Sequence, residues 1–502
     1  MDILNQLIMG LTVVLQPMNL LYCFLGCFIG TLIGVLPGLG PAATLSLLLP
    51  ATYHVTPVSA IILLAGIWYG AAYGGSTTSI LINIPGEAGS VVTTLDGYQM
   101  ARQGRAGPAL GISAFGSFIA GTLGVIGLMF LGPPLADFAL EFGPPEYFSL
   151  MCVGMILVTF LASASVVKAL MMACLGIIVG AVGTDPIFGS TRFTFNIVEL
   201  MDGVGIAPLV MGLFGIAEVL SNIEEKVERT ILTTRVQGLL PTFQDWMQAK
   251  WAILRGTVIG FFLGILPGGG VVLASFISYS VEKMVSKYPE KFGTGVIEGV
   301  AAPESANNAA AQGGFIPLLT LGIPANVVMA ILLGALLIHG VTPGPLLLSQ
   351  HPEIFWGVIA SMYVGNAMLL VLNLPLIGIW VQVLKVPFAI LMPLIILFCL
   401  IGCYSINSSS MDMLIMLVFG VIGYLLRKIG YEAAPMVLAF VLGPMLEYYL
   451  KQSLISSNGG FGIFFTRPIS AVCLIIVSIL LLLSILPSFQ RKRSGLFKEG
   501  AG

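Results

Sequence analysis

Two Pro-Gly clusters are the places where the backbone of this chain is equipped for chemistry. The first is Gly34-Val35-Leu36-Pro37-Gly38-Leu39-Gly40, and the second is Gly264-Ile265-Leu266-Pro267-Gly268-Gly269-Gly270. Glycine lets a chain turn sharply and approach a ligand, and proline suits the first turn of a following helix. A helix start offers unpaired N–H groups and a positive dipole end, so an anion can be held there without a cationic side chain. Carbonyls freed at the end of the preceding half-helix suit Na+. Gly26/Gly30/Gly34 and Gly256/Gly260/Gly264 run into these clusters at a spacing of four. Those triads read as close helix packing through small residues.

Polar residues interrupt two otherwise apolar runs. Tyr73-Gly74-Gly75-Ser76-Thr77-Thr78-Ser79 is followed by Asn83. In lipid such hydroxyls cost free energy unless they face protein, ligand or water. They can donate to carboxylates or bond their own helix backbone. The second run holds Glu298 and Pro303-Glu304-Ser305-Ala306-Asn307-Asn308. Glu304 can ligate a cation, carry a coupling proton or make a helix–helix hydrogen bond. Substrate binding is assigned to Gly38, Gly40, Ser76, Thr77, Thr78, Asn83, Gly268, Gly269, Gly270, Asn307 and Asn308. Coupling-ion binding is assigned to Pro37, Gly74, Gly75, Pro267, Glu304, Ser305, Gly313 and Gly314. Glu87 and Asp96 follow Pro85 and read as capping residues. His54, His339 and His351 fall in predicted outer loops and read as solvated.

Other chemistries fit poorly. No His-Glu-x-x-His, Walker, Gly-x-Ser-Gly or Gly-x-Gly-Asp motif is present, so neither an enzyme nor direct use of ATP is expected. The seven cysteines form no Cys-x-x-Cys pair, and no metal site is expected beyond Na+. Net charge is −2, which gives no basic excess for nucleic acid.

The elements that position these residues must be membrane helices. Of 502 residues, 57% are hydrophobic and only 9% charged, against roughly a quarter charged in soluble domains. Mean hydropathy is +1.02. The fold class is therefore an all-α polytopic membrane protein. Apolar runs near 57–82, 109–131, 146–164, 169–184, 205–221, 296–323, 354–383, 386–402, 411–426, 433–450 and 469–486 predict about eleven spans. Lys/Arg groups then fall on one face, read as cytoplasmic, together with the basic C-terminal tail 491–493. Arg192, Lys451 and Arg467 fall on the other. No cleavable signal peptide is expected, because the first basic residue is Arg102.

The chain also repeats. Pro37 and Pro267 lie 230 residues apart, and Pro85 and Pro324, each nine residues beyond a Gly-Gly pair, lie 239 apart. Between Pro37 and Pro85 there is no Lys or Arg, whereas Lys283, Lys287 and Lys291 lie between Pro267 and Pro324. Opposite charge bias in equivalent loops predicts two inverted repeats. With broken helices at matching positions, that points to a secondary transporter using alternating access about a midplane site. The expected organisation is a first repeat at 1–220, an amphipathic cytoplasmic linker at 221–255, a second repeat at 256–450, and a final helix and tail at 451–502. Arms of roughly eleven residues flank Pro267, too short for each to cross, so a re-entrant hairpin is expected there, with a counterpart at Pro37. An anion channel with Gly-rich filter loops is the alternative.

These motifs resemble the large membrane subunit of the tripartite tricarboxylate transporters, the TctA family. The carrying residues are Gly34 to Pro41, Tyr73 to Ser79, Ile84-Pro85-Gly86-Glu87-Ala88, Asp96-Gly97-Tyr98, Gly104-Arg105-Ala106-Gly107, Glu298 to Asn308, Leu321 to Pro324, His339-Gly340 and Pro343-Gly344-Pro345. The resemblance covers nearly the whole chain. It implies a bacterial inner-membrane permease with a small membrane subunit and a periplasmic solute-binding protein as partners. It implies uptake of a tri- or dicarboxylate such as citrate, driven by a Na+ or H+ gradient, with no other cofactor.

Overall fold

The computed structural model describes residues 3–36, 40–161, 165–224, 238–268, 270–383 and 388–485. The first half opens with helices α1 (Ile3–Val14), α2 (Pro17–Val35), α3 (Pro41–Leu48), α4 (Pro57–Ile82), α5 (Thr93–Arg102) and α6 (Ala106–Ala139). It continues through α7 (Pro144–Leu161), α8 (Val166–Gly180), an antiparallel pair of two-residue strands, β1 (Gly183–Thr184) and β2 (Thr191–Arg192), and then α9 (Ile206–Val210) and α10 (Ala217–Glu224). A π-helical turn, Met211–Ile216, joins the last two into one broken helix.

The second half runs α11 (Phe243–Ile265), α12 (Gly270–Val285), α13 (Glu298–Gly313), α14 (Phe315–Leu321), α15 (Val327–Ile338) and α16 (Leu347–Gln350). It ends with α17 (Pro352–Asn373), α18 (Ile377–Val383), α19 (Phe388–Asn407), α20 (Ser410–Lys428), α21 (Ala434–Ser456), α22 (Ile463–Thr466) and α23 (Pro468–Ile485). Among the described residues, six helices are long and apolar enough to cross a membrane: α2, α4, α6, the α9–α10 helix, α17 and α20. The predicted run 296–323 divides into α13 and α14 at Gly314, because the first part is polar and the second carries Pro317. Runs 169–184 and 469–486 fall on the shorter apolar helices α8 and α23.

Sequence-local signals set the boundaries. The Thr56 side chain caps α4, accepting from the Ser59 N–H, and Pro57 takes the first turn. α4 ends at Asn83 in the left-handed conformation (φ 58°), two residues before Pro85. α14 ends in the same way at Gly322 (φ 71°), two residues before Pro324. A capping box formed by Thr242 and Asp245 starts α11 thirteen residues before Gly256. The arm before Pro267 is therefore a helix of 23 residues, about twice the expected length, because the helix runs on through the polar flank. The length argument for a re-entrant hairpin holds only for the part beyond Arg255. Residues 243–255 of the expected linker belong to α11 and residues 221–224 to α10, while 225–237 and the basic tail 491–493 lie outside the described residues.

Two helix pairs form the centre, and both are zipped by the glycine triads. A Cβ on Gly26, Gly30 or Gly34 would stand 2.4 Å from the carbonyl oxygens of Leu63, Ile67 and Ala71 on α4. On Gly256, Gly260 and Gly264 it would stand 2.4, 2.1 and 2.3 Å from those of Ala302, Ala306 and Ala310 on α13. Only glycine permits that backbone approach, which supplies the dispersion contacts that hold membrane helices together. α4 and α13 then run antiparallel through the core. Trp68 Nε1 donates to the Ala311 carbonyl at 3.2 Å, and Ser76 reaches Glu304. α6 packs along α13, as α17 packs along α4.

Most ion pairs among the described residues collect in two groups, with Arg467–Glu146 (3.5 Å) apart from both. Arg105–Asp245 (2.7 Å) and Arg255–Glu282 (2.7 Å) tie the ends of α6, α11 and α12. Lys168 donates to the Ile429 carbonyl at 2.5 Å, beside the Arg427–Glu218 and Lys428–Glu224 pairs. The second group, Asp185, Arg192, Glu447 and Lys451, lies at the other end of α8 and α21. Asp96 is buried and accepts from Tyr279 Oη (2.8 Å) and from the N–H groups of Gly293 (3.0 Å), Gly295 (2.8 Å) and Val296 (2.9 Å), a local anchoring role.

Candidate functional site

Gly40, which ends the first Pro-Gly cluster, and Gly268 and Gly270 of the second meet at one cavity of about 400 Å³, although they are far apart in sequence. Gly40 and Pro41 line it from one side, and Gly268, Gly270 and Val271 from the other. Trp68, Glu87, Phe214, Glu218, Asn326 and Glu432 complete the parts of the wall that matter here. Gly268 takes φ +79° and donates its N–H to the Ala325 carbonyl at 2.8 Å, which pins this tip to the Pro324 loop. Gly270 takes φ +51° and starts α12. At Gly40 an added Cβ would meet nothing within 4 Å among the described residues.

Three helices begin at this wall. α3 starts behind Gly40, α12 starts at Gly270, and α15 starts behind Asn326, whose side chain caps it by accepting from the Met329 N–H at 3.0 Å. The cavity wall thus presents helix N-termini, the arrangement that holds an anion through backbone N–H groups. Of the acids on the wall, Glu218 is neutralised by Arg427.

Glu87 links the cavity to a buried polar cluster. Its Oε1 accepts from Asn307 Nδ2 at 2.7 Å. Three residues earlier on α13, Glu304 is fully buried and accepts hydrogen bonds from the Ser76 and Thr93 hydroxyls. Asn308 Nδ2 donates to Ser117 Oγ at 2.7 Å and to the Glu304 carbonyl at 3.2 Å. Buried polar groups are costly unless hydrogen-bonded, so these contacts tie α4, α5, α6 and α13 into one polar knot. Along the same helix, Ser305 Oγ, Asn307 Oδ1, Asn308 Oδ1 and Gln312 Oε1 are buried without a hydrogen-bond partner among the described residues. Buried polar atoms are normally satisfied, and uncommitted oxygens suit a hard cation such as Na+.

The remaining assigned residues divide by place. Pro37, Gly38 and Gly269 lie outside the described residues. Pro267 is half-buried at the tip. Thr77 is buried in α4. Thr78 donates to the Val35 carbonyl at 3.0 Å, bonding the end of α2 next to the first tip. Asn83 is exposed and caps α4, away from the cluster. Gly74 and Gly313 are close-approach positions, where a Cβ would lie 2.3 Å from the Thr31 carbonyl and 2.5 Å from that of Phe261. At Gly75 a Cβ would meet Glu87 Cγ at 2.6 Å, so this glycine makes room for the acid, while Gly314 has ordinary space. The sequence reading missed Thr93, Ser117, Gln312, Phe214, Glu218, Asn326 and Glu432. Gln312 follows Glu304 and Asn308 at helical spacing, and Glu218 is a lone acid in an apolar run, so those two carried a signal.

Residues 20–438 match the Tripartite tricarboxylate transporter TctA family, a span that includes both tips, α4 and α13. The chain belongs to that family. Members of the TctA family are transporter subunits of a tripartite system, so this chain is a multi-pass membrane protein that works with partner subunits. It is similar to an uncharacterized 52.8 kDa protein in the TAR-I ttuC' 3' region of Agrobacterium vitis, with 50% identity over 499 residues and 99% of each chain covered. It is also similar to an uncharacterized protein in the TAR-II ttuC' 3' region of the same organism, with 54% identity over 240 residues, 48% of this chain and 99% of that one. No solved structure matches.

Proposed function

We propose that this TctA-family chain is the permease subunit that imports a tri- or dicarboxylate such as citrate, coupled to a Na+ or H+ gradient. The observation that carries the reading is the shared cavity, where Gly40 and Gly270 stand at two helix starts against one space, with Gly268 beside them. The substrate carboxylates bind there through N–H groups at the helix starts, with the Gly40 and Gly270 backbones at contact, while Gly268, whose N–H is held by the Ala325 carbonyl, shapes the turn. The coupling cation binds at the α13 cluster, with Glu304 and the uncommitted oxygens as ligands. Asn307 and Glu87 connect the two sites, so filling one biases the other.

Two inverted repeats fit the contacts. The carbonyls that meet the glycine triads, at 63/67/71 and 302/306/310, are 239 residues apart, the shift that separates Pro85 from Pro324. Thr31 meets Gly74 as Phe261 meets Gly313, and Asn83 and Gly322 share the left-handed turn before Ile-Pro. The antiparallel course of α4 and α13 is what a two-fold axis in the membrane plane requires. On the positive-inside reading, the Lys168 and Arg427 face is cytoplasmic, as is the C-terminus, and the membrane is the bacterial inner membrane. The partners are a small membrane subunit and a periplasmic solute-binding protein. Hairpin-tipped repeats favour a sliding domain over rocking halves.

Gradient-driven uptake tests this. Proteoliposomes holding the chain and its small subunit, with the binding protein outside, should accumulate a labelled carboxylate under a Na+ or an H+ gradient imposed alone. Flux without accumulation against a gradient would indicate a channel instead, and no flux of any carboxylate would overturn the proposal.

A further inference from the structure

A second, larger cavity, about 550 Å³, lies at the other end of the helix that bounds the first. α15 meets the tip cavity through Asn326, Val327 and Val328, and it meets this one through Gly334, Leu337 and Ile338. α21 does the same, with Ala434, Pro435 and Leu438 at the tips and Phe440, Val441 and Pro444 here. The twelve residues of α15 span about 18 Å. The two cavities are thus stacked along one seam. Between them the seam is shut by packing: Ile331, Leu332, Ala335 and Leu438 are buried, and Ile206 lies so close to Gly334 that a Cβ there would meet its Cδ1 at 2.7 Å.

Five charged side chains line this second cavity, the exposed Asp202 and a network of Asp185, Arg192, Glu447 and Lys451. Arg192 donates from Nη1 to both Glu447 oxygens (2.9 and 3.0 Å) and from Nη2 to Asp185 Oδ2 (2.5 Å). Lys451 pairs with Asp185 and with Glu447, the latter at 2.7 Å. Asp185 is further committed to the N–H groups of Ile187 (2.9 Å) and Phe188 (3.2 Å). Glu447 has no such backbone partners, is a third exposed, and is the replaceable acid. Arg192 Nε is buried and has no hydrogen-bond partner among the described residues. The network is balanced in charge but holds one unspent donor and one exchangeable carboxylate.

We infer that this cavity is an antechamber for the transported anion, in which a substrate carboxylate takes the place of Glu447 on Arg192 and Lys451 before passing along the α15–α21 seam to the tips. The inference rests on the reading that the chain carries a carboxylate. A free carboxylate can use Arg192 Nε with Nη2, the edge on which the two N–H groups point the same way, in a bidentate pair that Glu447, held on Nη1, does not make. Breaking the Arg192–Glu447 contact also loosens the α21 end of the wall, which ties arrival of the anion to opening of the seam.

The experiment is uptake by the full chain with its partners, comparing Arg192→Gln and Glu447→Gln with wild type. Arg192→Gln should raise KM at least about tenfold, because the bidentate charge-assisted pair is lost, with Vmax close to wild type. Glu447→Gln should lower KM, because it removes the competitor. A purely structural network would lower Vmax for both variants and leave KM alone, and that result would overturn the inference. Leu337→Cys, on the cavity wall and half exposed, gives a readout independent of those variants. Citrate without a gradient should slow its modification by a membrane-impermeant maleimide, measured above the native-cysteine background. Unchanged labelling at citrate concentrations that saturate uptake would also overturn it, as would protection by the binding protein without citrate. Failure of the carboxylate-importer reading looks different, since wild-type vesicles would then accumulate no carboxylate.

Discussion

Gly260→Ala should damage the protein more than its one added methyl suggests. The new Cβ would lie 2.1 Å from the Ala306 carbonyl oxygen and 2.6 Å from Ala306 Cα, both rigid helical backbone. Carbon and oxygen approach no closer than about 3.3 Å, so α11 and α13 must part by roughly 1 Å. Overpacking of this kind costs about 1–3 kcal/mol. Ala306 sits two residues from Glu304, so the shift also strains the Ser76 and Thr93 hydrogen bonds, and the upper end, about 3 kcal/mol, is expected. In detergent the apparent melting temperature should fall by about 3 °C. Gly30→Ala, 2.4 Å from the Ile67 carbonyl, should fall in the same direction. Gly40→Ala should melt as wild type, because a Cβ there meets nothing within 4 Å among the described residues. If Gly260→Ala melts like wild type, or Gly40→Ala falls as far, the close-packed pairing of α11 with α13 is wrong.

Three further outcomes follow from the same contacts. Glu304→Gln keeps the side-chain volume but leaves one of two hydroxyls without its carboxylate acceptor, so uptake should need at least about tenfold more coupling cation; an unchanged cation dependence would remove Glu304 from coupling. Asp96→Asn weakens a carboxylate that anchors the N–H groups of Gly293, Gly295 and Val296, a loss of about 2 kcal/mol, so amide exchange at 293–296 should quicken roughly 30-fold with little change elsewhere. The Lys451 ammonium, helped by the Ile187 N–H, holds the Asp185 carboxyl well below the usual carboxylate range. Its folded pKa lies under its unfolded value of about 3.9, so its contribution is complete above that pH and is lost as the pH falls toward the folded pKa. Asp185→Asn should therefore lower the melting temperature by the same amount from pH 8 to about pH 5, with the difference from wild type shrinking only below about pH 4.

Some of this architecture could be read directly in the sequence. The run 57–82 coincides with α4, because Thr56, Pro57 and Pro85 mark its ends chemically. The glycine triads read as packing residues, and they contact Leu63, Ile67 and Ala71 or Ala302, Ala306 and Ala310 at matching spacing. The Pro-Gly clusters read as helix starts because glycine conformation is a local property, and α3 and α12 do start after Gly40 and at Gly270. The wall opposite them was not legible. Phe214 sits in a π-helical turn that no local pattern announces, and Glu432 lies in a short loop more than 160 residues from either tip. Thr93 reaches Glu304 only through the fold, since the two are 211 residues apart. Arm length near Pro267 misled, because α11 continues through a polar flank that hydropathy treats as its end.

The central claim is that the two tips enclose the substrate, and Gly40→Cys tests it most directly. A Cβ there meets nothing within 4 Å among the described residues, so the variant should fold and its thiol should react with a maleimide above the native-cysteine background. The transported carboxylate, added with the coupling cation, should protect Cys at this position with a half-effective concentration near its KM. Labelling of Gly40→Cys that stays constant while the same carboxylate is accumulated would place the substrate elsewhere and contradict the account.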